Sequence, residues 1–301
     1  MLNSSHNSRI ELRVTSTDQT TMTDIAARAD ESRTPSRTTT YGPATRTPGS
    51  RQSPNVKGTR TEQKYRFASM GLVISRSFAA VLWDMDGTLV DTEPLWMAAE
   101  HVLVGRFGGS WTREQALQLV GCALEHSARV LQSAGVRMSE DEIIEELTTE
   151  VMAAMRNTRV LPFRPGAREL LVQLREAGTK TALVTMSRRR MADFVVNLID
   201  FDAFDVVIPG DEVTRPKPFP DPYLQACAAL QVSPEQAVAI EDSPNGLRSA
   251  VASQVTSIGV PLMVPLDGLG ADAVLTTLGG VTVSDLITIH RARPERTPVD
   301  E

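Results

Sequence analysis

The chain has 301 residues, 41% of them apolar and 23% charged, with a formal net charge of −6. That is an ordinary globular balance, and its acidic sign argues against nucleic acid as a partner. No run approaches the roughly 20 apolar residues of a membrane span, and the two cysteines, Cys122 and Cys227, have neither metal-ligand spacing nor the number for a disulfide framework, so the expected location is the cytoplasm.

Residues 1–66 carry 11 Lys/Arg and 6 Asp/Glu, a net of +5 that leaves −11 for the remainder. They are rich in Ser, Thr, Asn and Gln and poor in large apolar side chains. Such a segment cannot offset its chain entropy, so a disordered, solvated extension is expected over residues 1–70. From Phe78 onward short apolar runs alternate with amphipathic stretches. Ala79-Ala80-Val81-Leu82-Trp83 predicts a first strand, and Thr181-Ala182-Leu183-Val184, Val206-Val207-Ile208 and Ala237-Val238-Ala239-Ile240 predict three more. Val255–Val260 and Ala273–Leu275 predict a fifth and a sixth. Continuous apolar runs mark strands covered on both faces, as in a parallel sheet. Helical stripes fall between them over residues 167–177, 188–199, 221–231 and 243–253. The alternation predicts an α/β fold with a doubly wound parallel sheet, whose ligands sit at the carboxyl ends of the strands.

Residues 94–157 break this rhythm with purely helical text, predicting helices over 94–107, 112–119, 124–134 and 139–157. Ser139 followed by Glu142 predicts a capping box at the last of them. The expected organisation is therefore a core domain from residues 71–92 and 162–291, an inserted helical cap domain over 93–161, and a disordered tail over 292–301. The Thr92-Glu93-Pro94 and Leu161-Pro162-Phe163 crossings form a natural hinge. Met152 and Met155 are expected in the interior of the insert.

Chemistry-bearing residues cluster at the predicted strand ends: Asp84 and Asp86, Thr185, Lys217, and Glu241 with Asp242. Carboxylates converging at one sheet edge repel one another and need a cation, and an all-oxygen donor set selects a hard ion such as Mg²⁺. A hydroxyl and an ammonium facing that ion complete a phosphoryl receptor, and the Gly87-Thr88 turn allows backbone N–H groups to approach an anion. One carboxylate can attack phosphorus while a second, two residues on, moves protons.

These residues also carry a resemblance. Asp84-Met85-Asp86-Gly87-Thr88-Leu89-Val90-Asp91-Thr92, Thr185-Met186-Ser187, Arg215-Pro216-Lys217-Pro218 and Glu241-Asp242-Ser243-Pro244-Asn245-Gly246 resemble, in order, the four motifs of the haloacid dehalogenase superfamily. The likeness spans about residues 76–290 and is to the branch with a helical cap that holds β-phosphoglucomutase and sugar phosphatases. It implies Asp84 as nucleophile and metal ligand, and Asp86 as acid/base that gives its backbone carbonyl to Mg²⁺. It implies Asp242 as second carboxylate ligand, Glu241 in support of the metal shell, and Thr185, Lys217 and Gly87 as phosphate holders. Asp91 reads as a hinge or helix-capping residue.

The implied activity is Mg²⁺-dependent hydrolysis of a small phosphomonoester, resembling a sugar phosphate, through an aspartyl-phosphate. An acid/base at Asp86 favours phosphate esters over the family's other substrates. A mutase of the β-phosphoglucomutase kind is the alternative. That subgroup carries a histidine where this chain has Trp96 and a cap arginine where it has Leu124, so these two residues, as candidate substrate contacts, tilt the reading toward hydrolysis. Arg129 is a candidate replacement for the missing arginine. The apolar surroundings of Trp96, Phe107 and Leu124 suggest an uncharged leaving group. A non-catalytic binding protein on the same scaffold is a more remote alternative, and oligomeric state is not legible.

Overall fold

The computed structural model describes residues 77–158 and 161–294; the expected extension over 1–70 and most of the expected tail lie outside the described residues. Six strands, β1 (Ala80–Trp83), β2 (Lys180–Val184), β3 (Val206–Ile208), β4 (Ala237–Glu241), β5 (Thr256–Gly259) and β6 (Ala273–Val274), form one sheet in the order β3-β2-β1-β4-β5-β6. Every pairing is parallel. The strand order reverses beside β1, which has β2 on one side and β4 on the other. At such a point two loops diverge and leave a crevice at the carboxyl edge.

Side-chain alternation explains why the strands read as unbroken apolar runs. Val81, Trp83, Leu183, Val238 and Ile240 face one way, against α5 (Ala167–Glu176), α6 (Arg189–Asn197) and α9 (Val283–Ala292). Ala80, Leu82, Ala182, Val184 and Ala239 face the other way, against α7 (Asp221–Leu230) and α8 (Pro244–Ala252). Both faces are dry, so the strands are mostly apolar, and a polar side chain buried in them is hydrogen-bonded, as Thr181 Oγ1 is to the Ala203 carbonyl at 2.7 Å.

Between β1 and β2 lie α1 (Glu93–Arg106), α2 (Arg113–Leu117), α3 (Leu124–Ser133) and α4 (Glu140–Thr158). They enclose their own apolar interior, with Leu103, Leu131, Ile143, Leu147, Val151, Met152 and Met155 buried. The expected box at α4 is present: Ser139 N–H donates to Glu142 Oε2 at 2.8 Å, and Glu142 N–H to Ser139 Oγ at 3.3 Å. A second box, Thr112 with Gln115, starts α2. The chain's two crossings into and out of this insert are tied together. Asp91 N–H donates to the Pro162 carbonyl at 2.8 Å and Arg164 N–H to that of Leu89 at 2.9 Å. Thr92, not Asp91, occupies the capping position of α1, so of the two expectations for Asp91 the crossing is the one its backbone meets.

Leu170 on α5 is fully buried against the sheet. Leu170→Ala removes that contact and leaves a cavity, and is expected to destabilise the protein by about 2–5 kcal/mol. Urea unfolding should show this as a lower midpoint with an unchanged slope.

Candidate active site

Asp84, Thr185 and Asp242 each sit one step past a strand, and Glu241 is the last residue of β4. Asp84 N–H donates to the Ile240 carbonyl at 3.1 Å, Thr185 N–H to that of Ile208 at 3.0 Å, and Val260 N–H to that of Glu241 at 2.7 Å. The sheet thereby delivers side chains from three strands to one edge. After Asp84 the chain turns tightly, with Leu89 and Val90 N–H groups both donating to the Met85 carbonyl. Gly87 lies in this turn at φ +83°, and a Cβ there would stand 2.1 Å from Asp242 Oδ2. Gly246, at the start of α8, is similar: its Cβ would meet Glu241 Oε2 at 2.0 Å. Two glycines thus admit two carboxylates.

The structure brings Asp84, Glu241 and Asp242 together, each offering a carboxylate oxygen within 4.8 Å of the others. Lys217, itself buried, donates to Asp84 Oδ1 at 2.7 Å, Glu241 Oε1 at 2.6 Å and the Val184 carbonyl at 2.9 Å. Tyr223 OH donates to Glu241 Oε1 at 2.5 Å and Ser243 Oγ to Glu241 Oε2 at 3.3 Å. Thr88 Oγ1 donates to Asp242 Oδ1 at 3.2 Å, while the buried Asp242 Oδ2 has no partner among the described residues.

One ammonium among these carboxylates leaves the cluster strongly anionic. Burial, reinforced by Glu241, pushes Asp84 up to about 7 against the opposing pull of Lys217. Burial and the charges of Asp84 and Glu241 raise Asp242 well above the carboxylate range. Burial works to lower Lys217, but Asp84 and Glu241 outweigh it and hold the amine protonated. All-oxygen donors, excess negative charge and an unpartnered carboxylate oxygen fit a hard divalent cation.

The Asp86 carboxylate stands outside that cluster and is held differently. Its Oδ1 accepts from Thr92 Oγ1 at 2.6 Å and Trp96 Nε1 at 3.0 Å, and its Oδ2 from Ser187 Oγ at 2.8 Å and Thr185 Oγ1 at 3.4 Å. Donors from α1 and from the end of β2 therefore grip one side chain. Trp96, expected as a substrate contact, lies in the cavity wall and also donates to Asp86. Arg164 donates to the Gly87 carbonyl and braces the turn.

A cavity of about 70 Å³ opens here between the sheet edge and the insert, walled by Asp84, Asp86, Glu93, Trp96, Glu100 and Leu124 among others. Leu124 is where the sequence placed it. Phe107 is not in the wall; it packs under the guanidinium groups of Arg106 and Arg137, at 6.0 and 5.5 Å. Arg129 is also absent from the wall, and pairs on the surface with Glu140 at 2.8 Å. Sequence reasoning missed Ser187, Glu93 and Glu100. The acids at 93 and 100 share the i, i+3, i+4, i+7 stripe with Trp96 and Met97, a stripe ordinarily apolar on an inward face, and that was the available signal.

The insert is seated on the core beside this cavity. A Cβ on Gly121 would lie 2.3 Å from Ser243 Cβ, so backbone and side chain touch there. Arg188, just before α6, reaches Asp141 at 2.7 Å and Glu125 at 3.2 Å on the insert.

The haloacid dehalogenase-like hydrolase family model matches residues 81–260. The chain belongs to that family. Within it, the chain is 30% identical over 219 residues to hexitol phosphatase B of Escherichia coli strain K12, covering 70% of this chain and 98% of the relative. It is 32% identical over 222 residues to protein CbbY of Cereibacter sphaeroides, covering 69% and 96%. Among solved structures, CbbY from Rhodobacter sphaeroides in complex with phosphate superposes with a TM-score of 0.63 at 30% identity, over 69% of this chain and 99% of that one. A β-phosphoglucomutase from Clostridium difficile shares the fold, at 20% identity and a TM-score of 0.62 over 71% and 97% of the two chains. The expected family, fold and hydrolase class all stand.

Two outcomes follow from this geometry. Gly87→Ala forces a Cβ into the Asp242 carboxylate and should lower turnover by about 100-fold, as a displacement on the order of 1 Å does at a reacting centre. Burial pushes Glu100 up to about 7 from 4.5, against the Trp111 hydrogen bond. The folded state therefore holds this proton more tightly than the unfolded chain. The associated stability is present below pH 4.5 and disappears as pH rises through about 7, a loss of about 3 kcal/mol. Glu100→Gln has no such proton to lose. Urea titrations at pH 4.5 and 8 should show the variant gaining on the native chain at the higher pH.

Proposed function

We propose that this chain hydrolyses small phosphomonoesters of sugars or polyols, with Mg²⁺ held by Asp84 and Asp242, the Asp86 backbone carbonyl, and Glu241 in support. The observation that carries the reading is the pairing of two differently held carboxyls. Asp84 lies against Lys217 in an anionic cluster, and Asp86, two residues away, is gripped by four side-chain donors. The names of the relatives support the substrate class: hexitol phosphatase B, and a phosphorylated carbohydrates phosphatase of Thermotoga maritima, 30% identical over 182 residues. Both oxygens of Glu241 already accept hydrogen bonds, which suits a supporting role better than a direct one.

When bound, Mg²⁺ would offset charge on the carboxylates and on the phosphoryl oxygens. The protein's own residues do the rest. Lys217 pulls Asp84 toward its ionised form, against burial, and aims it. An Asp84 carboxylate oxygen attacks phosphorus as the bond to the ester oxygen breaks, and Asp86 passes its proton to the departing alkoxide. Asp86, now a carboxylate, takes a proton from water as the water oxygen attacks the same phosphorus. Asp84 is released together with inorganic phosphate. Thr185, the Gly87 turn and Lys217 surround the phosphoryl oxygens.

The cavity of about 70 Å³ is small beside the roughly 300–1,000 Å³ of ligand pockets, so α1–α4 act as a cap that must move to admit substrate. The Asp91–Pro162 crossing is the place for that movement. A mutase needs a grip for a second phosphate, and Lys217 is the one basic side chain in the wall among the described residues.

Phosphate release from p-nitrophenyl phosphate and from sugar and polyol monophosphates should require Mg²⁺, stop with EDTA and return when Mg²⁺ is restored. Asp84→Asn should fall to the protein-free rate. No release from any ester in Mg²⁺ sinks the reading; interconversion of glucose 1- and 6-phosphates without net release establishes the mutase instead.

A further inference from the structure

Helix α1 presents Glu93, Trp96, Met97 and Glu100 to the cavity, one stripe spanning two turns, or about 10 Å of axis. Trp96 is engaged with Asp86. The two acids are not comparably satisfied. Glu93 is 7% exposed, and among the described residues nothing donates to its carboxylate. Glu100 is 6% exposed; its Oε2 accepts from Trp111 Nε1 at 3.0 Å, and its Oε1 has no donor among the described residues. Glu100 lies one helical turn beyond Trp96, the residue that reaches Asp86, and is bonded instead to Trp111 of the insert, so it stands at the end of the stripe away from the reacting centre. The open acceptor positions of these two carboxyls lie at the cavity wall, where the donors of a ligand can reach them.

The rest of the wall sets the ligand's chemistry. Ala116, Leu119, Leu124, Ile144 and Leu147 supply apolar surface, and Lys217, at the nucleophile, is the one basic side chain among the described residues. A second anionic group would meet two acids and no cation. A carbon chain bearing hydroxyls meets both demands: its C–H faces lie on the apolar wall and its O–H groups donate to the carboxyls.

We propose that Glu100, oriented by Trp111, is the residue that reads the distal hydroxyls of the leaving group, so that the preferred substrates are monophosphates of polyhydroxylated alcohols carrying no second anionic group. This deepens the phosphatase reading and rests on it. The full chain with Mg²⁺ is assayed on sorbitol 6-phosphate, on hexyl phosphate, which matches its chain length without the hydroxyls, and on p-nitrophenyl phosphate. For the native chain, kcat/KM for sorbitol 6-phosphate should exceed that for hexyl phosphate by about 10-fold, the factor that one hydrogen bond can carry. Glu100→Leu should abolish that preference, and Glu100→Gln, which keeps an acceptor oxygen, should retain most of it.

The ratio measured on the native chain stands whether or not the leucine variant folds. Equal rates of the native chain on the two six-carbon esters overturn the assignment. So does a loss of equal size on all three substrates in both variants, since that is a structural role. Preference for glucosamine 6-phosphate or fructose 1,6-bisphosphate over sorbitol 6-phosphate overturns the substrate class. Turnover of p-nitrophenyl phosphate without a polyol preference overturns this inference alone; no turnover of any ester overturns it together with the phosphatase reading.

Discussion

Like charges held close together in a dry place shape this molecule more than any other interaction. Asp84, Glu241 and Asp242 converge at the carboxyl edge of the sheet, where burial alone would drive them to take up protons. Lys217 is the counterweight among the described residues, and its ammonium is fully shared among two carboxylates and a carbonyl. Much of the neighbouring sequence serves this balance: Tyr223 and Ser243 donate to Glu241, Thr88 donates to Asp242, and Gly87 and Gly246 leave room for carboxylate oxygens. A cluster of this kind has no reason to exist for stability, since replacing buried ions by apolar groups often stabilises a protein. Its cost is intelligible as a receptor for a cation and a phosphoryl group.

The fold was legible because its signals are periodic. Six short apolar runs and the helical stripes between them lie within a residue or two of the observed elements, and the insert announced itself as a long interval without a strand. The edge residues were legible for a related reason: in a strand dry on both faces, the first acid marks the end of the ladder. Asp84, Glu241 and Asp242 could be found in that way, and Lys217 through the prolines around it. Trp96 could not. Its position on α1 was plain, but its hydrogen bond to Asp86 depends on how the insert sits on the core, and no spacing within one chain encodes that. Phe107 failed for the same reason: an aromatic at the end of a helix is as well placed under Arg106 and Arg137 as in a cavity.

Core and insert divide the labour by their chemistry. The core edge holds nearly all of the charged machinery, supplied by strands that any member of the family can share. The insert contributes an apolar wall with two acids in it, built on all four of its helices and on the α2–α3 connection. Changing the wall leaves the ladders untouched, so the cavity can be reshaped without disturbing the charged edge. This is why the reaction is easier to read from the chain than the compound consumed.

The four donors on Asp86 belong to two bodies. Ser187 and Thr185 stay with the sheet, whereas Trp96, and Thr92 at the crossing, go with the first helix of the insert. Under the proposed mechanism, lifting the insert would leave the proton donor only half of its alignment and admit bulk water to the nucleophile at the same moment. Under the same mechanism, proton delivery and dryness are synchronised by the two donors that the insert carries, as in an interlock: the circuit that breaks the ester bond closes only when the door does.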